Sequence, residues 1–437
     1  MPGYQELDSA RLLSLLDELK TEYEEVRAKG LRLDMSRGKP GTDQLDLSDA
    51  MLANLKPGEL STEGGFECRN YGLLDGIPEA KRLMGEILGV SPETTFIGGN
   101  ASLSLMHDCI TFSFIHGLPG ATPWCRQDTV KVLCPSPGYD RHFAMAEHFG
   151  FELVPVAMTA EGPDMDQVEA LIRDSAVKAI WCVPKYSNPL GITFSDTVVR
   201  RMAALSPAAP DFRIYWDNAY AVHHLDTQNP DILLNLMEEL ERNGRQDMAF
   251  TFTSTSKITY AGGGISAAGM SKTNFDWFMA HKTVQTIGYD KVNQLRHARM
   301  FPDMGHVTAH MAKHAAILRP KFQTVLDMLE PLGRDGIASW NKPNGGYFIS
   351  LDTLPGCAKR VGQLCKEAGV VLTTPGATFP YGKDPEDKNI RIAPTLPPIS
   401  ELEQAAALLC LCVRIASAEK ILADRTGSSR PRAGAAH

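Results

Sequence analysis

Apolar residues along this chain change their period several times, and each change marks an element. Between Ser9 and Lys29, Leu12, Leu15, Leu16, Leu19, Tyr23 and Val26 recur at helical spacing. The segment predicts an amphipathic helix with Ser9 as its N-cap and Gly30 as its stop. TFIGG reads as a strand end, followed by Asn100-Ala101-Ser102 and a strongly apolar helix. TVKVLCPSPGY, VKAIWCVPKYSNP, RIYWDNAY and MAFTFTSTSK then each read as an apolar strand that empties into a polar turn. This βα rhythm predicts an α/β fold with a mainly parallel, doubly wound sheet, whose ligands lie at the carboxyl ends of the strands. Beyond Trp277 the pattern is helical, and Pro320 inside it is expected to kink or break the helix. From Asn341 the chain turns α+β, with strands in NKPNGGYFISLD, VLTTPGATFPYG and KNIRIAPTL, a helix in CAKRVGQLCKEAGV, and a final helix from Ser400 to Leu422. The predicted organisation is an N-terminal helix and segment (1–45) packing with the small domain, a large domain (46–315), a smaller α+β domain (316–424) and a disordered low-complexity tail (425–437).

Composition narrows the function class more than the fold. With 437 residues the chain suits two or three structural units, and 43% hydrophobic with 22% charged residues is ordinary for a globular protein. A net charge of -8 gives no reason to expect nucleic acid as a partner. No apolar run reaches the length of about 18 residues that a membrane helix needs, and the acidic N-terminus lacks the order of a signal peptide. The nine cysteines are scattered without a CxxC pair, so reduced thiols in a cytoplasmic protein, and no metal site, are expected. Cys410 and Cys412 sit in an apolar run and are read as core.

Candidate chemistry gathers at the predicted strand ends. Lys257 leaves a buried strand, where desolvation lowers an amine's pKa and makes it a usable nucleophile. Tyr139, Asn188, Asp217 and Tyr220 stand at the ends of the other strands and would share its crevice. The strand, glycine turn and helix start around Asn100, Ala101 and Ser102 form a natural phosphate cradle. No G-x-G-x-x-G is present, which disfavours a dinucleotide. A lysine, a carboxylate, phenols, an amide and a phosphate cradle together answer the needs of pyridoxal 5'-phosphate. That cofactor forms a Schiff base with a lysine and needs an acidic partner on its ring nitrogen. Asp217 fits the carboxylate, Asn188 and Tyr220 the ring's phenolic oxygen, and Tyr139 the ring face. Ser102, Ser254, Ser256 and the amides of Asn100 and Ala101 would hold the phosphate.

At these residues the chain resembles the fold-type I, class I aminotransferases that depend on pyridoxal phosphate, within a bacterial aspartate aminotransferase-like subgroup. The matching motifs are Tyr71 to Gly76, the GGNAS turn, Pro135 to Tyr139, Asn188 to Gly191, Asp217 to Tyr220, Ser254 to Lys257, Pro343 to Phe348, Thr374 to Phe379 and Asn389 to Arg391. The resemblance implies a ping-pong exchange of an amino group between aspartate or glutamate and 2-oxoglutarate or oxaloacetate, with Lys257 as Schiff base and proton carrier. It also implies that Arg391, with Gly38 and Asn188, binds the substrate α-carboxylate, and that Tyr71 reaches the cofactor phosphate of a second subunit in a homodimer. A distal carboxylate needs another cation, for which Arg37, Lys39 and Arg141 are the candidates. An aromatic aminotransferase or a carbon–sulfur β-lyase is the alternative, and a non-catalytic regulatory module a remote one. One departure stands out. The family's phosphate-binding arginine about eight residues after the lysine is missing, and the stretch reads Gly262-Gly263-Gly264-Ile265-Ser266. Glycine amides and another basic group are expected to compensate.

Overall fold

The computed structural model describes residues 3–428. Val177–Cys182, Arg213–Asp217 and Ala249–Ser254 are buried at every position, as parallel strands covered on both faces must be. They belong to an eight-stranded sheet in the order Thr95–Gly98, Ser266–Met270, Ala249–Ser254, Arg213–Asp217, Val177–Cys182, Lys131–Ser136, Glu152–Thr159, Gly162–Pro163. The four strands expected from the βα rhythm are neighbours in that sheet and mutually parallel. Side chains along them alternate between two apolar cores, as the two-residue period of a strand requires. Leu133, Ile180, Ile214 and Trp216 pack with Val198, Met202 and Leu240 on one face. Val132, Ala179, Trp181, Tyr215 and Phe250 pack with Leu105, Ile110 and Phe278 on the other. The sheet is therefore wound on both sides, as expected.

A second, antiparallel sheet runs Ala338–Trp340, Ile349–Thr353, Asn389–Ile392. The short strand Leu33–Asp34 pairs in parallel with Val370–Val371, which ties the N-terminal segment to this unit. The first helix, Ser9–Ala28, buries Leu12, Leu16, Leu19 and Tyr23 in one cluster with Phe322, Leu409 and Val413, and the Tyr23 hydroxyl donates to the Leu364 carbonyl at 2.9 Å.

The structure departs from the expected elements in several places. Asp8, not Ser9, caps the first helix, accepting from the Arg11 amide. Pro320 does not end its helix, which runs from Met304 to Arg334. Pro320 and Ala316 face solvent, so the carbonyl that loses its N–H partner can turn to water. The last helix extends past Leu422 to Ser428. Residues 429–437, most of the expected tail, lie outside the described residues. All nine cysteines are free, and Cys410 and Cys412 are buried.

Two of the central strands are pinned at their entry by one buried ion pair. Lys178 Nζ lies 2.8 Å from Asp211 Oδ1, while Oδ2 accepts from Trp124 Nε1 at 3.0 Å and Gln127 Nε2 at 3.1 Å. Replacing Asp211 would leave Lys178 buried and unpaired. Asp211→Ala is expected to cost about 3–5 kcal/mol of unfolding free energy in a urea titration, against about 0.5 kcal/mol or less for the exposed Leu13→Ala.

Candidate active site

The parallel strands deliver their last residues to one crevice. Asp217 ends its strand at 3% exposure. Its Oδ2 lies 3.1 Å from His142 Nε2, and the His142 ring stacks on Trp181 with centroids 4.4 Å apart. Oδ1 is buried and has no hydrogen-bond partner among the described residues. A carboxylate oxygen kept from water costs free energy until a donor meets it. This position suits a ligand group that carries a proton on nitrogen.

Lys257 stands just past the strand Ala249–Ser254, with Nζ 5.0 Å from the centroid of the Tyr220 ring. Burial lowers its pKa below that of an ordinary lysine, and the Asp217 carboxylate partly offsets the shift. A larger share of free amine at neutral pH follows. The backbone carbonyl of Lys257 is held from behind by the Tyr347 hydroxyl at 3.4 Å, with His223 Nε2 at 3.3 Å. Burial pushes the Tyr139 phenol up to about 12, with Asp217 and Asp140 adding to it. It pushes Tyr220 well above the usual phenol value, with Tyr139 and Tyr347 adding. Both hydroxyls are therefore neutral donors at neutral pH.

Arg391 arrives from the small sheet, on the strand Asn389–Ile392. Its Nη1 donates to Asp140 Oδ1 at 2.8 Å and to Asn188 Oδ1 at 3.1 Å, and its Nε to Thr373 Oγ1 at 3.2 Å. The guanidinium lies over the Phe348 ring, 4.8 Å from its centroid. Gly38 packs against the same ring so closely that an added Cβ would come within 2.3 Å of Phe348 Cζ. Only glycine fits there.

These groups line one cavity of about 520 Å³, together with Arg37, Arg141, Ala101, Ser102, Ser254 and Ser256. Several of the residues singled out in the sequence stand outside it. Asn100 braces the wall, its Nδ2 donating to the Ala261 carbonyl at 2.9 Å while its own carbonyl accepts from Ser256 Oγ. Lys39 is exposed and does not reach the cavity, and Tyr71 is 76% exposed on the surface. Gly262, Gly263 and Gly264 do not line it either, and the Gly263 amide is spent on the Tyr260 carbonyl. The cavity includes Phe348, the end of the Pro343 to Phe348 motif, and also brings in residues that the sequence did not single out: Asp140 and Thr373 in its wall, and His142 behind Asp217. The only hint of His142 is its place three residues after Tyr139, in the first turn of the helix Asp140–His148.

The donor set fits pyridoxal phosphate. The half-paired Asp217 answers a protonated ring nitrogen, and the depressed amine of Lys257 answers an aldehyde. The helix Ser102–His116 starts on Ala101 with no side-chain cap, which leaves its first amides free for an anion.

Comparison with known proteins agrees with this geometry. The profile of the aspartate amino-transferase family matches residues 7–425. An aspartate aminotransferase of Corynebacterium glutamicum is 46% identical over 95% of this chain and 96% of its own length. The crystal structure of an aspartate transaminase from Corynebacterium glutamicum superposes with a TM-score of 0.93 at 45% identity, covering 96% of this chain and 99% of that one. A putative aminotransferase from Corynebacterium diphtheriae gives a TM-score of 0.90 at 47% identity over 92% of this chain and all of that one. Fold, lysine, half-paired aspartate and sequence thus converge, and the chain belongs to the aspartate aminotransferase family of pyridoxal phosphate enzymes.

Proposed function

We propose that this enzyme moves an amino group between L-aspartate or L-glutamate and 2-oxoglutarate or oxaloacetate, in two half-reactions. The observation that carries the reading is the pairing, in one cavity, of a lysine with a lowered pKa and a buried aspartate with one oxygen unpaired. When bound, pyridoxal phosphate supplies an aldehyde that captures amines and a protonated ring that withdraws electrons from a breaking Cα–H bond.

The chain's own residues do the rest. Asp217 Oδ1 would hold the proton of the ring nitrogen, with His142 fixing the other oxygen. Asn188 and Tyr220 would donate toward the ring's phenolic oxygen, and Tyr139 would offer its ring as a stacking partner. The hydroxyls of Ser102, Ser254 and Ser256 and the free amides at the helix start would hold the phosphate. Lys257 Nζ takes the substrate Cα proton as a base and returns it as an acid. Arg391 grips the α-carboxylate, and Gly38 leaves room for it beside Phe348. Of the three candidate cations for a distal carboxylate, Arg37 and Arg141 line the cavity, which supports either over Lys39.

Tyr71 lies outside its own cavity as a large exposed aromatic, which supports a homodimer in which it serves the partner's site. The division into residues 1–45, 46–315 and 316–424 is part of the same proposal, as is a cytoplasmic location. No helix among the described residues is long and apolar enough to cross a membrane.

A coupled assay with aspartate and 2-oxoglutarate tests the reaction, and release of pyruvate, ammonia and a thiol from a cysteine thioether, without a second oxo acid, would instead indicate a carbon–sulfur lyase. Lys257→Ala is expected to lower turnover by roughly 10⁴-fold, and a variant that keeps more than a tenth of wild-type turnover would refute the role given to Nζ. The charge of Asp217 raises the Lys257 pKa, so removing it should let burial act alone. In cofactor-free protein, Asp217→Asn is expected to move the pH midpoint for labelling Lys257 with an amine-reactive reagent downward, as read by peptide mapping.

A further inference from the structure

Three of the N–H donors of Arg391 are already spent on protein acceptors. A guanidinium has five N–H groups. Nε gives one to Thr373 Oγ1, and Nη1 gives both of its own, to Asp140 Oδ1 and Asn188 Oδ1. The hydrogens of Nη2 alone have no acceptor among the described residues. A bidentate grip on a carboxylate takes one hydrogen from each of two nitrogens. One of the three protein acceptors must therefore give way.

The three are not equally free to move. Asn188 is buried in the cavity wall at 5% exposure. Thr373 Oγ1 is held in turn by its own bond to the Ser36 carbonyl at 2.8 Å. Asp140 has no partner besides Arg391 among the described residues, its side chain is 33% exposed, and it lines the cavity. It is also the only one of the three that carries a charge. Chemically it is the same group as the substrate's own carboxylate.

We propose that Asp140 competes with the substrate α-carboxylate for Arg391, and so sets substrate affinity rather than the rate of bond breaking. The inference rests on the reading of Arg391 as the carboxylate-binding group. Asp140 keeps a desolvated guanidinium paired between turnovers, and its displacement weakens the net grip. A two-stage exchange in which each product must leave before the next substrate enters gains from a grip that is not too tight.

The test is calorimetric binding of succinate, a dicarboxylate without an amine, to the holoenzyme and to its Asp140→Asn and Asp140→Ala variants. Affinity is expected to rise by about three- to tenfold, more for Ala than for Asn, because Asn keeps an acceptor. The KM values for aspartate and 2-oxoglutarate should fall by a similar factor, with kcat changing less. Arg391→Gln should lose succinate binding whichever residue stands at 140. Unchanged or weaker succinate binding in both Asp140 variants would overturn the proposal, because Asp140 would then be orienting Arg391 for the ligand. Succinate results carry this inference, whereas absence of transamination by the wild-type enzyme would fail the functional reading instead.

Discussion

A carboxylate that is buried but only half paired constrains the rest of this molecule. In the proposed reading the Asp217 carboxylate would meet a protonated ring nitrogen, and it sits at 3% exposure, where an unpaired charge is costly. One oxygen is settled by His142, which is itself clamped against Trp181. The other is left for the ligand. Water would satisfy that oxygen and weaken the field it exerts, so the neighbouring rings of Tyr139 and Tyr220 have as much to do with exclusion as with contact. The same field reaches Lys257 and opposes the effect of burial on its amine. A change in the charge at Asp217 is therefore felt at the Lys257 amine.

Such a site needs a strand end that is dry on both faces, which the doubly wound sheet supplies. The side proposed to bind the substrate carboxylate comes from elsewhere in the chain. Arg391 belongs to the small antiparallel sheet, and Gly38 follows a segment threaded between strands of that unit. The Met35 amide donates to the Val371 carbonyl at 2.9 Å, and the Met35 carbonyl accepts from the Ala393 amide at 3.0 Å. Gly38 and Arg391 then meet across Phe348. Asn188, which follows the strand Val177–Cys182 of the large sheet, reaches Arg391 at 3.1 Å, and Asp140 reaches it at 2.8 Å. These two hydrogen bonds join the two sides of the site, and any shift of the small sheet is felt first at Asn188 and Asp140.

What was legible in the sequence followed local rules. The four parallel strands showed as apolar runs ending in turn residues, and the polar residue at each end was the one that lines the cavity. Ser266–Met270 was missed because SAAGM is short, small and without alternation, and its place in the sheet depends on both neighbours rather than on its own pattern. Pro320 misled because its effect depends on which face of the helix it occupies, which no local rule states. His142 and Asp140 were missed for a different reason. Each acts through a partner far along the chain, Asp217 and Arg391, and the sequence of one segment carries no trace of the other.

The missing arginine has a structural explanation in the same terms. Eight residues after Lys257 stands Ile265, 1% exposed and packed with Ile258, Ala267 and Leu295. Its amide donates to Thr255 Oγ1 at 2.9 Å, which also lies 3.1 Å from His297 Nε2. The position is committed to the core, and Asn293 fixes the loop before it through the carbonyls of Gly263 and Gly264 at 2.9 and 3.1 Å. A guanidinium could not be restored there without breaking that packing. What lines the cavity on this side is hydroxyl and amide: Ser102, Ser254, Ser256 and the uncapped helix start. A helix N-terminus and several neutral donors can hold a phosphate without a full cation beside it. Beside Lys257, the cations that line the cavity are Arg37, Arg141 and Arg391, and in the proposed reading they are left to the carboxylates of the substrate.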